Sequence, residues 1–492
     1  MTALERRAET SLWPLISQLV RTQGLAGLAV AVVQDGEVAL ARGFGTRDVR
    51  TGDPVTPDTL FHLASVSKPF VATAAVGLAL DLDAPVIRWI PGLTLADGRQ
   101  SEITLRHLLT HTSGIPDVVD YEWHDPQLGD DALAEFVRSL SGARLTSDPG
   151  AEYAYCNAGY EVLGHVVATV TGRTFEAAMT ELVLDPAGMV HSTFLRADVP
   201  SELASSPHVG APLVVPPGAY PYTRRHAPSS TLHSSVTELS RWMLTILADP
   251  GAAELMWQPR AEVGDPPWSE AMGMGWFVGT HRGHRMVGHS GADPGFNSRF
   301  ALLPDRGTGV VGLANSNTAP TRAVVRAALD VALDLPAEAI EVDVQIPPIT
   351  VPVAAALQAA GAEAAVETFR RLERAVPAQV DADDGHLEDA VWGAIELHRP
   401  ELVRPLLDVW TTVRPNSSQA WAMTGWADLV GGDTRSAGEL LRRAVDLDPE
   451  NDEAAALLRG VERLPGTVSD PGRVVRGTGE EPPDAAAGTR ES

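Results

Sequence analysis

The chain has 492 residues, 44% hydrophobic and 21% charged, which fits a folded protein of two or three domains rather than one core. A formal net charge of −26 argues against a nucleic-acid partner, since little here would neutralise phosphates, and disfavours anionic membrane surfaces. With one cysteine, Cys156, no signal-peptide pattern and no apolar stretch of about 18 residues, the expectation is a cytoplasmic protein without a membrane span.

A helix-like run through Leu12, Leu15, Ile16 and Leu19 comes first. Gly27-Leu28-Ala29-Val30-Ala31-Val32-Val33 reads as a buried strand, Asp35-Gly36 as a hairpin turn, and residues 37–42 as the returning strand. An apolar helix is expected over residues 65–80, with Pro69 in its first turn, where a missing N–H costs nothing. Residues 84–200 read as mainly helical, residues 206–230 as a Pro-, Gly- and Tyr-rich lid or rim loop, and residues 236–247 as a helix. Short β-rich runs then follow within residues 273–316: Trp276-Phe277-Val278, Arg285-Met286-Val287-Gly288, Phe300-Ala301-Leu302-Leu303 and Gly309-Val310-Val311-Gly312-Leu313. Strands at both ends with helices between predict an α+β domain over residues 1–335, with a sheet joining its two ends.

The texture then changes. Pro336, Pro347, Pro348 and Pro352 mark a linker over residues 336–352. Residues 353–464 are rich in alanine and leucine with helical periodicity, and Pro377, Pro415 and Pro449 each close an amphipathic helix. Those prolines are 38 and 34 residues apart, close to the period of tetratricopeptide arrays. Residues 418–451 are the best copy, with Trp421, Gly425 and Trp426 on one helix and Ala437, Leu441 and Ala444 on the next. Repeat stacks present concave faces, so a peptide or protein partner, or a dimer surface, is expected here. Residues 465–492 carry no apolar pattern and read as a disordered tail.

One residue type singles out the chemistry. Of 38 basic side chains, 37 are arginine, and the single lysine, Lys68, closes Ser65-Val66-Ser67-Lys68. Arginine cannot exchange protons, whereas a buried ammonium can lose one and serve as a base or relay. Ser65 and Lys68 are three apart, so on a helix their side chains share a face. A serine hydroxyl is a weak nucleophile until a base takes its proton, and Lys68 is placed to do that.

Two further stretches complete a pattern: Tyr155-Cys156-Asn157 and His289-Ser290-Gly291. With Ser65-Val66-Ser67-Lys68 they resemble, in order and separation, the three motifs of the serine β-lactamase and penicillin-binding-protein superfamily, closest to its class C-like esterases and D-aminopeptidases. The supporting text runs through residues 103–114 and Gly291-Ala292-Asp293-Pro294-Gly295-Phe296. The resemblance covers about two thirds of the chain. It implies a β-lactamase/transpeptidase-like domain followed by the helical repeats, acting on a small ester or amide through an acyl-serine intermediate without metal or organic cofactor. It further implies Ser65 as nucleophile, Tyr155 as general base and later general acid, and Lys68 as electrostatic and proton-relay partner. An ammonium beside a phenol favours the phenolate, although which of the two takes the first proton stays open. The N–H groups of Ser65 and Ala292 would form the oxyanion hole, and Asn157 would orient the substrate or Lys68. His289 stands where true β-lactamases carry a lysine for the penicillin carboxylate, which shifts weight away from antibiotics toward esters and amides. β-Lactams, D-Ala-D-Ala peptides and a non-catalytic scaffold role for the repeats are the alternatives.

Several lookalikes carry less. Gly288-His289-Ser290-Gly291-Ala292 nearly spells a nucleophile elbow but ends in alanine. His107 and His111 are spaced like zinc ligands, but residue 108 is Leu108 where the metalloprotease glutamate belongs. His281, His284 and His289 lack a spaced cysteine or carboxylate. Cys156 reads as a small buried apolar residue rather than a reactive thiol.

Overall fold

The computed structural model describes residues 1–463 except 119, 210–212, 215–219, 336–347, 376–379, 384 and 397–398. In chain order its strands are β1 (Gly27–Gln34), β2 (Glu37–Asp48), β3 (Asp53–Pro54), β4 (Phe61–His62), β5 (His208–Val209), β6 (Leu213–Val214), β7 (His233–Ser234), β8 (Ala261–Asp265), β9 (Ser269–Met272), β10 (Phe277–His281), β11 (His284–Asp293), β12 (Phe296–Leu303) and β13 (Thr308–Ala314). Nine of them form one antiparallel sheet in the order β3-β2-β1-β13-β12-β11-β10-β9-β8.

The centre of that sheet joins the two ends of the domain. β1 pairs with β13 from Leu28↔Ala314 to Gln34↔Thr308, and with β2 on its other edge. A strand covered on both faces needs apolar side chains at every position, which is why β1 is a continuous apolar run. Ala29, Ala31 and Val33 enter the core shared with the helical region, whereas Leu28, Val30 and Val32 enter a second core on the other face. The helices Trp13–Thr22 and Thr321–Ala332 contribute to that second core. Between β1 and β2, Asp35 (φ 52°) and Gly36 (φ 82°) both take left-handed backbone. That is the geometry a two-residue hairpin turn requires.

The antiparallel sheet and intervening helices are the expected α+β architecture. Two elements differ from their expected bounds. The helix after β4 begins as a 3₁₀ turn, Ala64–Val66, continues as Ser67–Gly77 and stops short of residue 80. β11 runs beyond Gly288 through His289-Ser290-Gly291-Ala292, so the third motif lies inside a strand.

The chain divides into two compact units, Met1–Leu402 and Val403–Ser492. In the first, helices Thr350–Ala360, Ala362–Glu373 and Gly385–Glu396 follow the sheet domain. Most of the Pro-rich stretch, residues 336–347, lies outside the described residues, as do residues 464–492 and parts of 206–230. In the second unit, Ser418–Val430 and Thr434–Leu447 are joined by a three-residue loop, and Asp452–Glu462 follows. Ser418 Oγ donates to Ala444 O at 2.8 Å, while Ala422, Ala444 and Ala454 share a small core. This is the helical hairpin expected over residues 418–451. No described helix is long and apolar enough to cross a membrane.

Candidate active site

Ser65 stands on a bent stretch of backbone. β4 ends at His62, and Ala64 takes a left-handed conformation, φ 49°, immediately before the serine. An alanine held there costs about 1–2 kcal/mol, so the surroundings must fix it. Ser67 does part of this: its hydroxyl donates to Ala64 O at 2.7 Å and accepts from Leu232 N at 3.0 Å. One turn after Ser65, Lys68 is completely buried.

All three donors of the Lys68 ammonium are engaged. Nζ lies 3.0 Å from Ser65 Oγ, 2.7 Å from Asn157 Oδ1 and 2.9 Å from Ser229 O. Burial drives its pKa down to about 8, against the pull of Glu161, Asp293 and Asp117. At pH 7 about one molecule in ten would then carry the free amine.

Tyr155 completes the cluster from the segment before the helix Asn157–Thr171. Its side chain shares a hydrogen bond with Ser65, and Lys68 Nζ lies 4.9 Å from its ring centroid. Burial raises the phenol's pKa and Asp117 and Asp293 add to the rise; the Ser65 bond opposes it. Burial thus works against the phenolate expected beside the ammonium. His111 stacks on Tyr155 with centroids 4.3 Å apart and planes 22° apart. It too has left-handed backbone, φ 55°, and its Nδ1 accepts Cys156 N at 3.0 Å.

Asn157 is held by a carboxylate the sequence reading did not single out. Asp117 Oδ1 accepts Asn157 N at 2.5 Å and Ala158 N at 3.2 Å, while Oδ2 accepts Asn157 Nδ2 at 3.0 Å. The carboxylate thus caps the helix and turns the amide so that Oδ1 faces Lys68. Cys156 shares the capping, its sulfur accepting Gly159 N at 3.3 Å, and burial pushes its thiol up to about 12. His107 caps a different helix, bonding Thr104.

The β11 edge closes the site. A Cβ on Gly291 would lie 2.3 Å from Leu63 O and 2.7 Å from Ser65 N, so only glycine lets strand and serine turn approach this closely. Ser298 Oγ bridges the two, donating to Leu63 O at 2.6 Å. His289 is buried, donates from Nδ1 to Ser290 O at 2.7 Å, and has its pKa driven down to about 3 by burial and by Lys68. It is a neutral ring, 6.4 Å from Tyr155 between centroids. Gly291 and Ala292 lie next along the strand, with Ala292 exposed. Ser290 pairs with Arg299 in register and shares its sheet face, opposite to His289 and Gly291.

One further group at the rim was not anticipated. Asp293 Oδ2 lies 2.7 Å from His62 Nε2 and also accepts Ser230 Oγ. Serine and imidazole meet the same carboxylate oxygen, so this is not a Ser–His–Asp relay. Its carboxylate is 14% exposed.

The family model described as Beta-lactamase matches residues 14–334. The chain belongs to the beta-lactamase family. This beta-lactamase-family protein is a serine hydrolase. It is 33% identical to esterase EstB of Burkholderia gladioli over 319 residues, covering 54% of this chain and 77% of the esterase. It is 28% identical to protein flp of Staphylococcus aureus over 307 residues, spanning 60% of each chain. The octameric penicillin-binding protein homologue from Pyrococcus abyssi superposes with a TM-score of 0.60 at 25% identity, covering 73% of this chain and 82% of that one. A class C beta-lactamase shares the fold with a TM-score of 0.57 at 20% identity, covering 67% and 97%.

Proposed function

We propose that this beta-lactamase-family protein hydrolyses small esters or amides with Ser65 as the nucleophile. The observation that carries the reading is the set of partners around Lys68 Nζ. Asn157 Oδ1 and Ser229 O can only accept, so a neutral Lys68 amine keeps its two N–H groups on them and presents its lone pair to the Ser65 hydroxyl. Lys68 takes the Ser65 proton, Oγ bonds to the substrate carbonyl carbon, and the N–H groups of Ser65 and Ala292 receive the oxyanion. Tyr155, protonated at neutral pH and bonded to Ser65, passes a proton to the departing alkoxide or amine and is reprotonated from Lys68. Water then enters by the reverse route and frees the acid from Ser65.

The charges around the site favour neutral or cationic substrates. Lys68 is enclosed, His289 is neutral, and Asp117 and Asp293 place carboxylates beside the reacting groups. A substrate carboxylate, as β-lactams and D-Ala-D-Ala peptides carry, would meet no fixed cation at His289. An active-site fluorophosphonate should label the wild type and not Ser65→Ala; equal labelling of both would remove Ser65 from the chemistry. The hairpin over residues 418–451 supports a peptide or protein contact for the C-terminal helices, and the single cysteine supports a reducing, cytoplasmic setting.

A further inference from the structure

On the sheet face opposite the site, three arginines gather near one carboxylate among the described residues. Arg299, on β12, is partly buried, with its guanidinium carbon 5.3 Å from the Trp268 ring centroid. Its Nε is buried without a hydrogen bond, and among the described residues no carboxylate pairs with it. Burial and the nearby Arg322 drive its pKa down to about 10. Arg322 lies on the other side of the same problem: its guanidinium carbon is 5.8 Å from the Trp268 centroid and its Nε is also buried and unbonded. A third unsatisfied donor is the indole N–H of Trp268, a residue only 5% exposed.

Trp268 and Arg322 line a cavity of about 280 Å³ together with Pro266, Pro267, Pro320, Ala323 and Arg326, while Arg299 contacts the Trp268 ring from outside that lining. Arg322 and Arg326 are one turn apart on the helix Thr321–Ala332, so both reach the same opening. One carboxylate answers them: Asp265 Oδ2, 2.5 Å from Arg322 Nη2. Among the described residues, three guanidiniums against one carboxylate leave two positive charges in excess, in a chain whose net charge is −26. The adjacent basic groups are treated differently, since His281 and Arg282 both bond Asp330, at 2.8 Å each. Arg299 Nε is buried without a partner, which is costly, and two residues that line the cavity, Arg322 and Trp268, each carry a buried N–H without an acceptor, which calls for an oxygen-rich anion. Guanidinium forks match phosphate geometry, and two net charges match a phosphate dianion. The indole and proline walls suit an organic group attached to it.

We propose that this cavity binds a small phosphate monoester, its phosphate held by Arg322 and Arg326 in the field of Arg299 and its organic part against Trp268 and the prolines. Arg299 is the register partner of Ser290, so the ligand would lie across the sheet from the strand that carries His289 and Gly291.

The test is calorimetric titration of the full-length protein with phenyl phosphate, inorganic phosphate and benzoate, at constant ionic strength set with chloride. Saturable one-site binding of phenyl phosphate is expected, with inorganic phosphate and benzoate each weaker. Arg326→Gln, at a partly exposed position with no ion pair among the described residues, should weaken binding about tenfold or more while leaving thermal unfolding and ligand-free ester turnover unchanged. Arg322→Gln should do the same to binding. Protein capped at Ser65 by a fluorophosphonate should bind phenyl phosphate as the free enzyme does. Absence of saturable binding by the wild type, undiminished binding by Arg326→Gln, loss of binding on capping Ser65, or benzoate binding as tightly as phenyl phosphate would each overturn the assignment. Inorganic phosphate binding as tightly as phenyl phosphate would overturn the role given to the apolar walls.

Discussion

Asp117 grips Asn157 twice, taking its backbone N–H on one carboxylate oxygen and its side-chain amide on the other. The second bond forces Asn157 to aim its oxygen, not its nitrogen, at Lys68. Asp117→Asn offers that amide a competing NH₂ group, so Asn157 can turn its own NH₂ toward the ammonium. We expect kcat to fall on the order of 10²-fold, with a helix-cap loss of about 1 kcal/mol. Steady-state ester hydrolysis and thermal unfolding measure the two effects separately; an unchanged kcat would detach Asp117 from the site.

The rate should rise with pH through about 8, because the form of Lys68 that accepts the Ser65 proton is the neutral one. His289 and His111 are held neutral by burial and Tyr155 is held protonated, so no second limb from these groups is expected between pH 6 and 8. Stability carries the same sign. Lys68 has an unfolded pKa near 10.5 and a folded one near 8, so between those values the unfolded chain holds more protons and folding strengthens as pH rises. A kcat/KM profile of wild type, and of Lys68→Arg, checks the assignment. The arginine variant keeps the charge and gives up the proton exchange, so turnover should nearly vanish. A flat wild-type profile would count against Lys68 as the base.

His289→Lys should move the substrate preference. A cation on β11 beside Tyr155 gives a substrate carboxylate a counter-charge that the neutral imidazole lacks. The ratio of kcat/KM for a carboxylate-bearing chromogenic cephalosporin to that for a neutral nitrophenyl ester should climb about tenfold or more. A constant ratio would mean that charge at this position does not select substrates.

Gly291→Ala places a methyl group against Leu63 O and Ser65 N. Either the strand retreats or the serine turn does. We expect a loss of about 1–3 kcal/mol in thermal unfolding and failure of fluorophosphonate labelling. Full labelling at wild-type stability would show that the approach of β11 to Ser65 is looser than drawn.

The pair Ser65 and Lys68 was legible because its signal is local: two residues one helical turn apart, one of them the chain's single lysine. The hairpin at Asp35-Gly36 was legible for the same reason, since both residues tolerate left-handed backbone. Asp117, Asp293 and Glu161 were not, because a carboxylate in an acidic chain is unremarked until the fold brings its charge within reach of Lys68. The burial that opposes a Tyr155 phenolate was not legible, because a nearby cation can be read from motifs, whereas depth of burial cannot. Ser290 was grouped with its neighbours as part of the third motif; the alternation of β11 turns its side chain to the face opposite His289 and Gly291.

β1 waits a long time for β13. The strand that forms the middle of the sheet leaves the ribosome roughly 280 residues before its partner, which at about 5–20 residues per second is roughly a quarter-minute to a minute. Through that interval Val30, Val32 and Val33 have a hairpin mate on one edge and bare backbone on the other. A nascent chain of this protein therefore carries an apolar strand with one open edge, and a truncation that removes β13 would leave an unfinished sheet instead of a smaller enzyme.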